Sequence, residues 1–357
     1  MPTIIYKIRL SFFAACDELV RGCRVSKGRA TALICAFALS GCERGPQQEV
    51  VVYTSVDQQF AVQILARFEQ DSGLQVVFVA DIEASKTTGL VRRLMRERDR
   101  PRCDVWWSSE VFGTIELARN EVLEPYESPA AADIPQEWKD ARHRWTGLAP
   151  RARVVAYNPK RTARDALPDT WRAIGDHGRA ARLALANPQF GTTRGHVGAM
   201  FAYWGAPDAV AFLETLRAAG ARITGGNSMA VQTVLANNAD FCMTDTDDVW
   251  VARARGRSID MVYPALEPGG PPMWIPCTVA LVRGGPNPAR GRRLIDYLVS
   301  ADVERALMNS DSRNVPVRAA VRSDATFETP EPAALDFERI ADAIPGAMRA
   351  ARDILLQ

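Results

Sequence analysis

Six places along the chain set small polar residues at the start of a helical run, and that pattern can build an oxyanion site. Asp57 precedes Gln58, Ser85 precedes Lys86, and Ser108 with Ser109 precedes Glu110. Thr192 and Thr193 precede His196, Asp245 or Thr246 precedes the run at Val249, and Asn227 with Ser228 precedes Met229. Such residues favour the N-cap position. A helix start leaves its first amides without intrahelical partners and carries a partial positive charge. Several helix starts converging on one cleft make an anion site. The run Gly191-Thr192-Thr193-Arg194-Gly195 is the best single candidate. Its glycines allow close backbone approach, its threonines add hydroxyl donors, and a guanidinium can bind an oxyanion in bidentate fashion. The plainer reading is a capped loop carrying a solvated arginine.

The same loops are rich in acids: Asp57, Glu83, Glu110, Asp245, Asp247 and Asp248. Carboxylates suit hard cations, so Asp57, Glu110 and Asp245 are candidate metal ligands. Taken singly, each acid is as well explained by capping a helix, and Asp245 with Asp248 resembles a capping box. Ser55 and Thr244 lie on two of these loops. Lys86 is one of three lysines after residue 42, and a lysine at a helix start opposes the dipole. That placement points either to function or to plain solvent exposure. No cofactor is called for, and a metal ion is the one inorganic group these side chains would take. There is no GxSxG, HExxH or Walker A pattern, and His143, His177 and His196 share no metal spacing, so an enzyme is not expected.

The elements that must position these loops alternate. Val50–Tyr53, Leu74–Ala80 and Asp104–Trp107 read as strands, with helical spacing at Phe60-Ile64-Leu65-Phe68, from Lys86 to Arg98 and over Val111–Ala118. Trp106 and Trp107 alternate on their strand, so one faces the core and the other is free to line a wall. A second set begins after Trp145, with strands at Arg153–Tyr157, Leu183–Ala186, Phe241–Met243 and Thr278–Arg283. Helices are expected from Trp171, around Val197–Trp204, over Ala209–Ala218, from Asp247, and over Leu294–Leu298 and Val303–Met308. This alternation predicts an α/β fold with mixed, mainly parallel sheets flanked by helices. A chain of 357 residues exceeds what one core usually serves. Two lobes are therefore expected, 50–149 with 277–320 and 150–276 with 321–357, joined by extended crossovers near 147–157 and 275–282.

Residues 1–42 read as a leader. A basic stretch from Arg21 to Arg29 precedes the apolar run Ala32–Leu39, the order of a secretory signal and too short to span a bilayer. It ends Leu39-Ser40-Gly41-Cys42, which resembles a bacterial lipobox and implies lipid on Cys42, with 43–49 as a tether. Without the leader 38 basic and 40 acidic residues remain, a net charge of −2, which argues against a nucleic-acid partner. Of the seven cysteines, Cys103, Cys242 and Cys277 remain after Cys42. They have no CxxC spacing, so buried thiols are expected, with a Cys242–Cys277 disulfide as the other arrangement.

Five segments then carry a resemblance: VVYTSVDQQF at Val51–Phe60, DVWWSSE at Asp104–Glu110, WTGLAPRARVVAYN at Trp145–Asn158, NPQFGTTRGH at Asn187–His196 and IPCTVALV at Ile275–Val282. In this order they are similar to bacterial extracellular solute-binding proteins of the ferric-iron-binding type, the receptors of ABC importers. The resemblance implies a two-lobed periplasmic-binding-protein fold that closes by hinge motion on a small molecule or ion. It also implies an ABC permease and ATPase as partners, a monomer, a place in the periplasm or at the cell surface, and membrane contact through the lipid alone. The solute would be an oxyanion-containing or phosphorylated compound, or a metal with a synergistic anion. A carboxylate-based Fe(III) carrier and a sensory binding module are the alternatives. Ferric relatives use an adjacent tyrosine pair where this chain has Thr244–Asp248, and none of the seven tyrosines here is paired. The family's histidine ligand corresponds to Asp57, and its glutamate to Glu110.

Overall fold

The computed structural model describes residues 5–7, 48–81, 87–175 and 180–357. The elements in order are β1 (Ile5–Lys7), β2 (Glu49–Thr54), α1 (Gln58–Ser72), β3 (Gln75–Ala80), α2 (Thr88–Glu97), β4 (Val105–Ser108), α3 (Phe112–Arg119), β5 (Leu123–Glu124) and β6 (Thr146–Tyr157). There follow β7 (Leu183–Ala186), α4 (Gly191–Trp204), α5 (Ala206–Ala218), β8 (Arg222–Thr224), α6 (Asn227–Leu235), β9 (Phe241–Asp245), α7 (Thr246–Ala254), β10 (Asp260–Val262), β11 (Trp274–Val282), α8 (Pro288–Leu298), α9 (Ala301–Met308), α10 (Ala319–Arg322) and α11 (Phe337–Leu355).

The valine-rich β2 and β3 pair in parallel from Glu49↔Gln75 to Thr54↔Ala80, with α1 as the crossover. A parallel pair needs such a connection, and β-branched residues suit a strand buried on both faces. Gly73 ends α1 at φ 69°, a left-handed turn that favours glycine. β4 adds in parallel to β2, and β11 runs antiparallel to β4. The second group repeats the plan, with β7 parallel to both β8 and β9. Each lobe thus has a three-stranded parallel centre, and the strands joining the lobes run antiparallel to it. Ile5–Lys7, inside the segment read as a leader, pairs antiparallel with β3 at the sheet edge. Cys42 lies outside the described residues.

β6 and β11 make the crossovers. Residues 146–152 of β6 pair with β11, and Arg153–Tyr157 pair with β9. One strand therefore serves both sheets, and all twelve of its residues are buried. The register of β11 shifts between Ile275 and Cys277. Pro276 lies there and has no amide to give the ladder, which accounts for the break in register at the joint.

α11 is absent from the elements read from the sequence, although Phe337, Ile340, Ile344, Ala347 and Ala351 are buried at helical spacing along it. It packs on α4 and α5 and touches α3 of the other lobe. Asp336 caps its start by accepting from the Arg339 amide at 2.9 Å. The helix expected from Trp171 is a single 3-10 turn over Arg172–Ile174. Cys103, Cys242 and Cys277 are all free and buried, so the Cys242–Cys277 disulfide does not form. Burial raises all three thiols above the usual cysteine range.

Candidate functional site

A cleft of about 410 Å³ lies between the lobes. Helix α1 reaches it with Asp57, Gln58 and Gln59, α4 with Gly191, Thr192 and Thr193, and α6 with Gly226, Asn227 and Ser228. The start of α7 adds Asp245, Asp247 and Asp248. No N-cap side chain bonds to the first turn of any of these four helices. Elsewhere Ser300 caps α9, Asp336 caps α11, and α5 and α8 carry proline in the first turn, while α2 and α10 also start without an N-cap side-chain bond. Four helix N-termini without an N-cap side-chain bond thus border one space; at α7 the Asp248 amide is taken by Asp247 Oδ1 at 3.1 Å, so the starts of α4 and α6 are the ones that favour an anion.

Behind this wall lies a buried ionic network. Arg153 on β6 sits directly across the ladder from Asp245 on β9. Its Nη1 donates to Asp245 Oδ1 at 2.7 Å and to Thr192 Oγ1 at 3.1 Å, and its Nε donates to His196 Nδ1 at 3.3 Å. Asp245 Oδ2 accepts from Thr192 Oγ1 at 2.5 Å and from Asn227 Nδ2 at 2.8 Å. Arg151, two residues earlier on the same strand face, donates from Nε to Asp245 Oδ2 at 3.3 Å and lies 3.4 Å from Asp247 Oδ2. Its Nη2 reaches across to the Ser109 carbonyl at 2.5 Å, and its Nη1 donates to Cys277 Sγ at 3.4 Å.

Burial alone would raise the Asp245 carboxyl, but Arg153, then Arg151 and the Thr192 hydrogen bond, hold it below the usual carboxylate range. Burial opposes the charge on Arg151, and Asp247, Cys277 and Asp245 outweigh that. Burial and the neighbouring guanidinium of Arg153 push His196 well below its ordinary range, so it stays neutral. It stacks edge-on against Trp171 with ring centroids 4.2 Å apart. Helix packing and a hydrogen bond to Arg153 are its roles, as against a place at a metal.

Among the residues singled out from the sequence, the fold brings Asp57, Gln58, Ser109, Thr192, Thr193, Asn227, Ser228, Asp245 and Asp247 to the cleft. Ser55 and Ser108 sit behind it. The Ser55 hydroxyl accepts from the Ser109 amide at 2.9 Å and from Thr87 Oγ1 at 3.0 Å, and Ser108 Oγ accepts from the Glu110 amide at 3.2 Å. Thr244 Oγ1 donates to Asp248 Oδ2 at 2.9 Å, orienting that carboxylate without lining the cleft. Glu83, Ser85 and Lys86 lie outside the described residues.

Two expectations need correcting. Glu110 does not line the cleft. Its Oε2 accepts from the Phe112 amide at 2.6 Å and its Oε1 from the Gly113 amide at 3.0 Å, so it caps α3. Burial raises its carboxyl despite the nearby Arg194. Arg194 points away from the cleft and pairs with Glu116 of α3 at 3.0 Å. The reason is helical phase, because each residue turns by about 100° and Arg194 faces the other lobe while Thr192 and Thr193 face inward.

The arginines that do serve the site, Arg151 and Arg153, escaped the sequence reading. The signal was present as two charges at alternate positions of the otherwise apolar run Ala152–Tyr157 and its lead-in. Trp107 also lines the cleft, while Trp106 donates from Nε1 to Thr114 Oγ1 at 2.8 Å.

Two α/β lobes joined by shared strands, with a polar cleft between them, are the architecture of a solute receptor. The family model for bacterial extracellular solute-binding proteins matches residues 50–310, and this chain belongs to that family. It is the solute-binding component of an ABC importer, a transport protein that acts outside the cytoplasmic membrane. No helix of the described residues is long and apolar enough to cross a membrane. The chain is 22% identical over 342 residues to iron uptake protein A1 of Synechocystis, covering 87% of this chain and 91% of that protein. It is 27% identical over 306 residues to a putative 2-aminoethylphosphonate-binding periplasmic protein of Salmonella paratyphi A, covering 81% and 85%. The crystal structure of iron-bound HitA from Pseudomonas aeruginosa superposes with a TM-score of 0.78 at 21% identity, covering 86% of this chain and 99% of that one.

Proposed function

We propose that this receptor captures a small organic oxyanion, a phosphonate or phosphate carrying a cationic group, and delivers it to its permease. The observation that carries this is the convergence of four helix N-termini, none with an N-cap side-chain bond, on the interlobe cleft. The amides at the starts of α4 and α6 suit the anionic oxygens, and Thr192, Thr193 and Ser228 add hydroxyls. Asp57, at the start of α1, suits an ammonium group. The relative named for 2-aminoethylphosphonate supports this chemistry. Closure would draw Asp57 and Gln58 toward α4 and α6, with β6 and β11 as the hinge.

A carboxylate-based ferric site is the second reading. Asp245, Asp247 and Asp248 place one oxygen each within 4.8 Å of one another, and ferric-binding proteins are among the relatives. Among the described residues no tyrosine lines the cleft, which weighs against the phenolate chemistry expected of a ferric carrier. Titration calorimetry with 2-aminoethylphosphonate, inorganic phosphate and ferric citrate separates the two readings. The expected result is 1:1 binding of the aminophosphonate and no saturable heat with ferric citrate. A 1:1 ferric titration without phosphonate binding would reverse the assignment.

Lipid on Cys42 would tether the receptor beside its permease. The intact mass of membrane-extracted protein should correspond to a chain that begins at a diacylated Cys42. Cys42→Ser should release the protein from the membrane fraction, and a membrane-bound variant of unchanged mass would remove the lipobox reading.

A further inference from the structure

Asp245, Asp247 and Asp248 have the oxygen geometry of a cation site, and a cation of this chain already sits against it. Arg151 Nε lies 3.3 Å from Asp245 Oδ2 and 3.4 Å from Asp247 Oδ2. Its other nitrogens are fastened to the Ser109 carbonyl and to Cys277 Sγ, so the group is held from both lobes. The side chain is 7% exposed, which leaves it little room to swing into solvent. Arg153 Nη1 engages the remaining oxygen of Asp245 at 2.7 Å, and Asp248 accepts from Thr244. A metal ion held by these carboxylates would have to lie about 2–2.6 Å from their oxygens, against a fixed guanidinium a few ångströms away.

We infer that Arg151 is the resident counter-cation of the Asp245–Asp247 pair and the residue that makes the cleft select against metal cations. The wall then offers neutralised carboxylates and helix amides to the solute, in place of an open acidic cage. Specificity of this kind comes from a built-in repulsion as much as from attraction. The inference rests on the oxyanion reading of the cleft, and a metal probe lets it fail separately.

Terbium(III) is the probe, because it seeks oxygen ligands and its emission is excited through tryptophan, with Trp107 lining the cleft. The wild-type chain should give no saturable emission that depends on Asp247. Arg151→Gln should bind one terbium at least about a hundredfold more tightly, the upper end of what a single charge-assisted hydrogen bond contributes. Asp247→Asn on that background should abolish the increase. Arg151→Lys keeps the charge and should behave as wild type. Near-UV circular dichroism checks that each variant is folded, and Arg151→Met replaces Arg151→Gln if that variant is not. Wild-type terbium binding that Asp247→Asn weakens would overturn the inference by itself, and so would a folded Arg151→Gln with wild-type affinity. Aminophosphonate titration of the wild type is a separate arm. If that arm fails while Arg151→Gln binds terbium more tightly, the oxyanion reading falls and the role of Arg151 stands.

Discussion

Replacing Asp245 with alanine should produce the largest loss in this protein, in stability and in binding together. The carboxylate is 2% exposed and is bonded to Arg153, Arg151, Thr192 and Asn227. Its removal strands the buried Arg153 guanidinium without its counter-charge and leaves Arg151 with Asp247 alone. Breaking a buried ion pair from one side typically costs about 3–5 kcal/mol, because the remaining charge has lost its solvation and its partner. Thr192 and Asn227, which open α4 and α6, lose a shared acceptor at the same time. The solute affinity should therefore fall by more than about a hundredfold. Asp245→Asn retains one acceptor oxygen and should lie between alanine and wild type. Urea unfolding midpoints and titration with 2-aminoethylphosphonate measure the two effects. An alanine variant that unfolds at the wild-type midpoint would mean that this carboxylate does not hold the arginines in place.

Gly195→Val should weaken solute binding while leaving each lobe folded. A Cβ placed on Gly195 would lie 2.0 Å from Phe112 Cε2, so a side chain cannot enter without moving that ring. Phe112 opens α3 in one lobe, Gly195 belongs to α4 in the other, and the Phe112 ring also meets Phe337 of α11 with centroids 6.2 Å apart. The contact is therefore a seam between lobes, next to the Arg194–Glu116 pair. Overpacking typically costs about 1–3 kcal/mol, which corresponds to a loss of roughly five- to hundredfold in affinity if it falls on the ligand-bound arrangement. Phe112→Ala on the Gly195→Val background removes the clash and should restore much of the affinity, a coupling that a double-mutant cycle reads directly. Equal affinities for wild type and Gly195→Val would show that this seam does not close on the ligand.

The contrast between these two sites follows how each is encoded. Helix starts are local. Asp57, Thr192, Thr193, Asn227 and Asp245 stood out because an N-cap signal lies within one turn of the run it opens, and the fold then gathered those starts at the carboxyl ends of the strands. The alternation of strands and helices is local as well, and with five short segments in order it was enough to specify the family and the two-lobed plan.

Side-chain direction and burial are not local. Arg194 sits beside two cleft threonines in sequence, yet one residue of helical turn aims it at Glu116 instead. Glu110 looks like a loop ligand until α3 folds back and offers it two amides. Arg151 and Arg153 look like the solvent face of an alternating strand. They are buried because β6 belongs to both sheets and has no solvent face. The sequence by itself determined which small polar groups the starts of α1, α4, α6 and α7 carry to the cleft, since those depend on neighbours a few residues away. Only the tertiary structure decided that two strand arginines are sealed against Asp245 between the lobes, since their burial depends on strands almost a hundred residues or more apart meeting at one hinge.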